Sequence, residues 1–151
     1  MEATQSSQHT TELTVSQCWA LLRDSVVARV AVLRGARPEI FPVNFAVDHG
    51  SVVFRTGSGT LFAATDAQPV AVEVDGYDVT DGTAWSVVVH GTGREVVGVD
   101  ATLEAMELPI FPWHDAPKPR FVRVEPIAIT GRRFTVSGGH RVPVPARAET
   151  E

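Results

Sequence analysis

Apolar residues along most of this chain recur at every second position, the spacing of strands with one buried face. The run "VVARVAVLR" (Val26 to Arg34) is the first strand so predicted, and "GARP" turns the chain after it. "EIFPVNFAV" (Glu39 to Val47) returns, "DHG" turns again, and "SVVFRT" (Ser51 to Thr56) makes a third strand. "PVAVEVDGYD" (Pro69 to Asp78) and "AWSVVVHGTGREVV" (Ala84 to Val97) supply the fourth and fifth. "RFVRVEPIAITGRRF" (Arg120 to Phe134) gives a sixth, either whole or broken at Pro126, whose nitrogen cannot join a ladder. Helical spacing is brief. Ser16 caps a segment running to about Asp24, a second begins near Leu61, and a third covers Asp100 to Leu108 before the proline-broken "PIFPWHDAPKP". Short antiparallel strands with tight turns and few short helices predict a mainly β chain, closed or nearly closed into a barrel.

The faces of two strands carry candidate chemistry. In the second strand Phe41, Val43, Phe45 and Val47 form a plain core stripe, and Ile40, Pro42, Asn44 and Ala46 form the other face. Asn44 can donate and accept at once, which suits the mixed edge of a heterocycle and equally a neighbouring backbone group. Arg55 shares a face with Val53, just before the loop "TGSGT". That loop runs from a strand into a helix with two glycines and the hydroxyls of Thr56, Ser58 and Thr60. Unpaired first-turn amides and the positive end of a helix dipole make such a junction a cradle for phosphate. A strand-to-helix turn capped by Ser58 or Thr60 that binds nothing has the same composition. The nearest positive charges are Arg55 and, from the first strand, Arg29.

Length and composition narrow the class. The 151 residues fit one domain, and with 13 basic against 18 acidic residues the net charge of −5 argues against nonspecific nucleic-acid binding. An anionic ligand must then meet a local cluster of donors. Cys18 is the single cysteine, so an internal disulfide is excluded and a reducing, cytoplasmic setting fits. No secretion signal and no membrane-spanning apolar run are read. The polar first dozen residues (1–12) and the end from 137 to 151 read as mobile tails around one domain, 13–136.

Together, "ARVAVLRGARPEIFPVNFAVDHGSVVFRTGSGT", "PVAVEVDGYD", "AWSVVVHGTGREV" and "ITGRRF" resemble the pyridoxamine 5′-phosphate oxidase-like family, and within it the small FMN-binding split-barrel proteins. The likeness runs in order from Leu13 to Phe134. It implies a six-stranded antiparallel split β-barrel, a homodimer, and FMN held in clefts at the subunit interface. It places Val43, Asn44 and Phe45 of "PVNF" beside the isoalloxazine and continues along the cofactor with Arg55 and Thr56. Ser58, Gly59 and Thr60 would receive the phosphate, and Trp113 would approach the flavin from the partner or serve as interface packing. One departure stands out: similar sequences end the loop in glycine-threonine-lysine, and this chain has Leu61 there. Losing one charge-assisted hydrogen bond costs about 1.5–3 kcal/mol, roughly ten- to a hundred-fold in affinity. The resemblance then implies weakened but retained FMN binding if Arg55 or Arg29 compensates.

Other chemistry is thin. The five histidines, His9, His49, His90, His114 and His140, have no paired ligand spacing, so zinc is not expected. No nucleophile elbow or dinucleotide glycine fingerprint occurs. The acidic "DGYDVTDG" reads as turn chemistry. A protein without a side-chain constellation suits a flavin, which carries the electron chemistry itself. The leading expectation is an FMN-dependent oxidoreductase of unspecified substrate, reduced by a transiently bound nicotinamide. Against it stand a non-catalytic flavin-binding or sensing module and a member with an altered or lost cofactor, deazaflavin or haem. Pyridoxamine phosphate oxidation itself is disfavoured for want of a second phosphate-binding arginine set.

Overall fold

Strand β2 (Val27–Arg34) buries every second side chain, with Ala28, Val30 and Val32 inside and Arg29 and Leu33 outside. The strands that follow obey the same rule, and their inner faces share one core. This computed structural model describes residues 10–57, 59–111 and 120–136. Besides β2 they form β1 (Thr10–Glu12), β3 (Arg37–Asp48), β4 (Ser51–Thr56), β5 (Pro69–Asp78), β6 (Thr83–Glu95) and β7 (Arg120–Thr135). Three short helices intervene: α1 (Val15–Arg23), α2 (Thr60–Thr65) and α3 (Val99–Met106).

All pairings between strands are antiparallel, in the order β1-β7-β4-β3-β2-β5-β6, and β6 pairs back onto β7. Six strands therefore close on themselves as a split β-barrel, and the predicted architecture holds. The seventh strand, β1, lies outside the ring against Arg132, Arg133 and Phe134 of β7. Its residues fall within the segment read from sequence as a tail. "TTE" is polar and exposed on both faces, so only main-chain pairing orders it and no apolar pattern announced it.

Closure depends on the long strand β7. Residues 120–124 pair with β4 and residues 122–135 with β6, so Val122, Arg123 and Val124 bond on both sides, and the register with β6 shifts between His90↔Ala128 and Gly91↔Pro126. Ile127 is the extra residue of that bulge, next to the proline that cannot donate. The possible break at Pro126 is thus a bend within one continuous strand.

The barrel interior is filled by Phe45, Phe54 and a set of valines, and α1 and α2 add to it. Helix α1 starts at Thr14, not Ser16: the Thr14 hydroxyl accepts from the Gln17 amide and the Gln17 side chain accepts from the Thr14 amide, a reciprocal cap. Its Cys18 and Leu22 enter the core, and burial pushes the Cys18 thiol pKa up, against a smaller opposing backbone hydrogen bond. Gly131 permits this docking, because a Cβ there would sit 2.6 Å from the Cys18 sulfur. A second, smaller core lies outside the ring, where Ala105 of α3 and Ile110 meet Ala46, Val53 and Phe121. That cover explains why β4 is buried on both faces.

Candidate functional site

Strand β3 ends at each side in a two-residue hairpin, and the one joining it to β2 builds a groove. Gly35 adopts a left-handed φ of 61° in the turn Gly35-Ala36. With a turn this short, Arg34 and Arg37 become direct cross-strand partners. Alternation places them on the face that carries Val30 and Phe41, and then Val32 and Glu39, nearer the barrel. Beyond the core that inner face overhangs α2, and its side chains change from apolar to charged. The resulting open groove, about 1240 Å³, is lined by the hairpin tip and by Gly59, Thr60, Ala63 and Ala64. Like charges directly opposed across a hairpin cost about 0.2–1 kcal/mol. Glu39 offsets this on one side, since Arg34 Nη1 donates to its carboxylate at 3.1 Å.

The floor of the groove is the start of α2. Gly59 is the cap residue, and the helix has no side-chain cap hydrogen bond, so capping by Thr60 does not occur. The first helical bond runs from the Ala63 amide to the Gly59 carbonyl, leaving the amides of Thr60, Leu61 and Phe62 ahead of the ladder. Leu61, which stands where a lysine was expected, packs with Phe62 against the barrel core and does not line the groove. Its side chain does not plug the opening.

The remaining sequence-derived candidates are spread over other surfaces. Val43 and Phe45 are buried inside the barrel, so their side chains belong to the core of this chain. Asn44 lies on the outer face, and its side-chain amide donates to the Phe111 carbonyl. Arg55, also outward, stacks 4.7 Å above the Phe121 ring. Thr56 is buried at the end of β4 opposite Arg120. Ser58 and Trp113 lie outside the described residues. The groove therefore unites Gly59 and Thr60 with the hairpin arginines and leaves out Val43, Asn44, Phe45, Arg55 and Thr56.

The two arginines proposed to compensate for Leu61 are engaged elsewhere. Arg29 donates to Glu73 and Asp75, each at 3.0 Å, and these carboxylates raise its pKa. Glu73 in turn is pushed up by burial and by its neighbour Asp75. Arg55 has the ring of Phe121 beneath it. Arg34 and Arg37 supply the charge instead. The signal was present in "LRGARPE": two arginines bracketing a two-residue turn must face each other once the strands pair.

The other arginine clusters are structural. Arg120 donates to Glu95 at 2.7 Å and lies 4.4 Å over the Phe62 ring, fixing α2 against β7. Of the histidines among the described residues, His49 and His90, neither lines the groove. Among the described residues no cluster of three or more metal-ligating side chains occurs, and no helix is long and apolar enough to cross a membrane.

Comparison with known proteins covers nearly all of the described chain. The family model described as pyridoxamine 5′-phosphate oxidase matches residues 14–133. The FAD binding protein from Mycobacterium smegmatis is 37% identical with a TM-score of 0.72, over 82% of this chain and 99% of that one. A solved protein of Corynebacterium glutamicum is 37% identical with a TM-score of 0.76, over 86% and 96% of the two chains. An uncharacterised protein of Mycobacterium tuberculosis is 34% identical over 136 residues, 86% of this chain and 89% of its own length.

Proposed function

The chain belongs to the pyridoxamine 5′-phosphate oxidase family, and we propose that it binds a flavin nucleotide and works as a small oxidoreductase in a homodimer. The observation that carries this reading is the groove in which Arg34 and Arg37 face Gly59 and Thr60. Its donors fit a phosphate: two guanidiniums, one hydroxyl and first-turn amides that no side chain caps among the described residues. Glu39 cancels one of the two positive charges, leaving a net of one in the groove. A 37%-identical relative named for FAD binding supports the flavin class; the resemblance of the sequence had implied FMN.

When bound, the flavin supplies hydride and electron transfer. The chain's own residues position it. Arg34 and Arg37 hold the anionic end, Gly59 allows close backbone approach, and Leu61 anchors α2 by packing inward. The outer face around Asn44 presents Ile40 and Phe111, each 66% exposed, as the apolar surface for a second copy. A reduced nicotinamide is the proposed electron source.

Purified protein mixed with flavin should develop a shifted flavin absorbance that bleaches on adding reduced nicotinamide. Leu61 favours a second reading, a flavin-binding module without turnover, since a committed ammonium is missing at the loop. Flavin bands inert to the reductant would select it. An unchanged spectrum at saturating flavin would remove both.

A further inference from the structure

We infer that a second, smaller cavity on the outer face of the barrel, walled by β1, β6 and β7, binds a small monocarboxylate with an apolar or aromatic body. It shares no lining residue with the hairpin groove, and the inference does not rest on the flavin reading. Val87 and Val89 of β6 are fully buried, so Ser86 and Val88 point outward. Register sets Arg132 of β7 directly opposite Ser86, and Thr130 opposite Val88. On the other side of β7, Thr10 of β1 stands opposite Phe134. These side chains line a cavity of about 300 Å³, near the lower limit for small-molecule sites. Strand β1 buries none of its side chains, so core packing does not account for it. What it adds is the third wall.

The lining supplies what a carboxylate needs. Among the described residues Arg132 has neither an ion pair nor a hydrogen bond, although Glu12 of β1 is its cross-strand partner. Arg29, Arg34, Arg94, Arg120 and Arg123 each hold a carboxylate already. The planar fork of Arg132 can take a carboxylate through two parallel hydrogen bonds. Ser86, Thr130 and Thr10 add hydroxyls that can donate to the same anion. Phe134 and Val88 give the rest of the ligand an apolar wall. Charge narrows the choice further. Glu12 opposite Arg132 and Asp75 opposite Ser86 set a carboxylate on each flank, so a second negative charge on the ligand meets repulsion. A dianionic phosphate is thereby disfavoured against a monocarboxylate.

The test is titration of the full chain, read by backbone amide NMR shifts, with benzoate as the probe and benzamide and inorganic phosphate as comparators. Benzoate should shift the amides of Ser86, Thr130 and Arg132 saturably, and benzamide and phosphate should each bind about tenfold or more weakly. Arg132→Gln should weaken benzoate about tenfold or more. Arg132→Lys keeps the charge without the fork, so it should recover only part of that loss. No saturable shift at these amides, phosphate binding as tightly as benzoate, or an affinity unmoved in Arg132→Gln overturns the inference. None of these results bears on flavin binding at the hairpin groove.

Discussion

Strand β3 carries a two-residue turn at each end, and the two turns use charge in opposite ways. At the β3–β4 turn, His49 and Gly50 both take positive φ, 49° and 68°, the backbone of the tight turn that matches strand twist. Every charge there is answered. Arg123 of β7 donates to the Asp48 carboxylate at 2.9 Å, to the Asp48 carbonyl at 3.1 Å and to the Ser51 hydroxyl at 2.6 Å, and His49 lies 3.0 Å from the same carboxylate. At the β2–β3 turn two guanidiniums oppose each other and share one carboxylate. A self-satisfied turn stabilises the barrel; a turn left with surplus charge of one sign is suited to a ligand. The difference teaches that arginine content near a loop says little until partners are counted.

The comparison can be broken by removing charge from each end in turn. The largest effect is expected for Arg34→Ala combined with Arg37→Ala. Two charge-assisted hydrogen bonds of about 1.5–3 kcal/mol each are lost, so flavin affinity should fall a hundred-fold or more. Thermal unfolding should hardly move, because a repulsive pair disappears at the same time. Arg123→Ala should do the reverse, costing about 1–3 kcal/mol in denaturant unfolding with flavin affinity within twofold of wild type. Similar losses of affinity and stability in both variants would erase the contrast.

A finer test uses pH. Burial draws the Asp48 pKa upward, but hydrogen bonds from Arg123 and His49 outweigh it and hold the carboxyl below its ordinary value of 3.8. A carboxylate depressed in the folded state contributes stability that is complete above its unfolded pKa and lost as pH falls through the folded one. Asp48→Asn should therefore be less stable than wild type at pH 7, with the gap closing below about pH 4. A gap that persists unchanged at pH 2 would assign the effect to packing. The smallest change is His49→Asn. Asparagine tolerates the left-handed region better but gives up the His49 contact with Asp48, so the unfolding free energy in denaturant should stay within about 0.5 kcal/mol of wild type.

Much of the fold was legible because valine-rich alternation leaves little choice of face. The bounds of β4 and β5 match the sequence reading residue for residue, and the Phe41-to-Val47 stripe packs into or against the core as read. What escaped was information not carried by apolar period. Strand β1 is held by main-chain bonds alone, and the Ile127 bulge depends on where two strands meet. The site was half legible. Gly59 and Thr60 line the groove, but its charge comes from Arg34, read as the last residue of the first strand, and Arg37, read as part of the turn. Arg29 looked available in the sequence; only the neighbouring strand β5 brought Glu73 and Asp75 to it. Asn44 had two open readings, and within one chain its amide nitrogen serves the Phe111 carbonyl.

The most direct test is a crystal structure of the protein soaked with flavin. The account predicts phosphate oxygens about 3 Å from the guanidiniums of Arg34 and Arg37, above Gly59 and Thr60. A flavin phosphate seated elsewhere, with the hairpin arginines facing only solvent and Glu39, would contradict it.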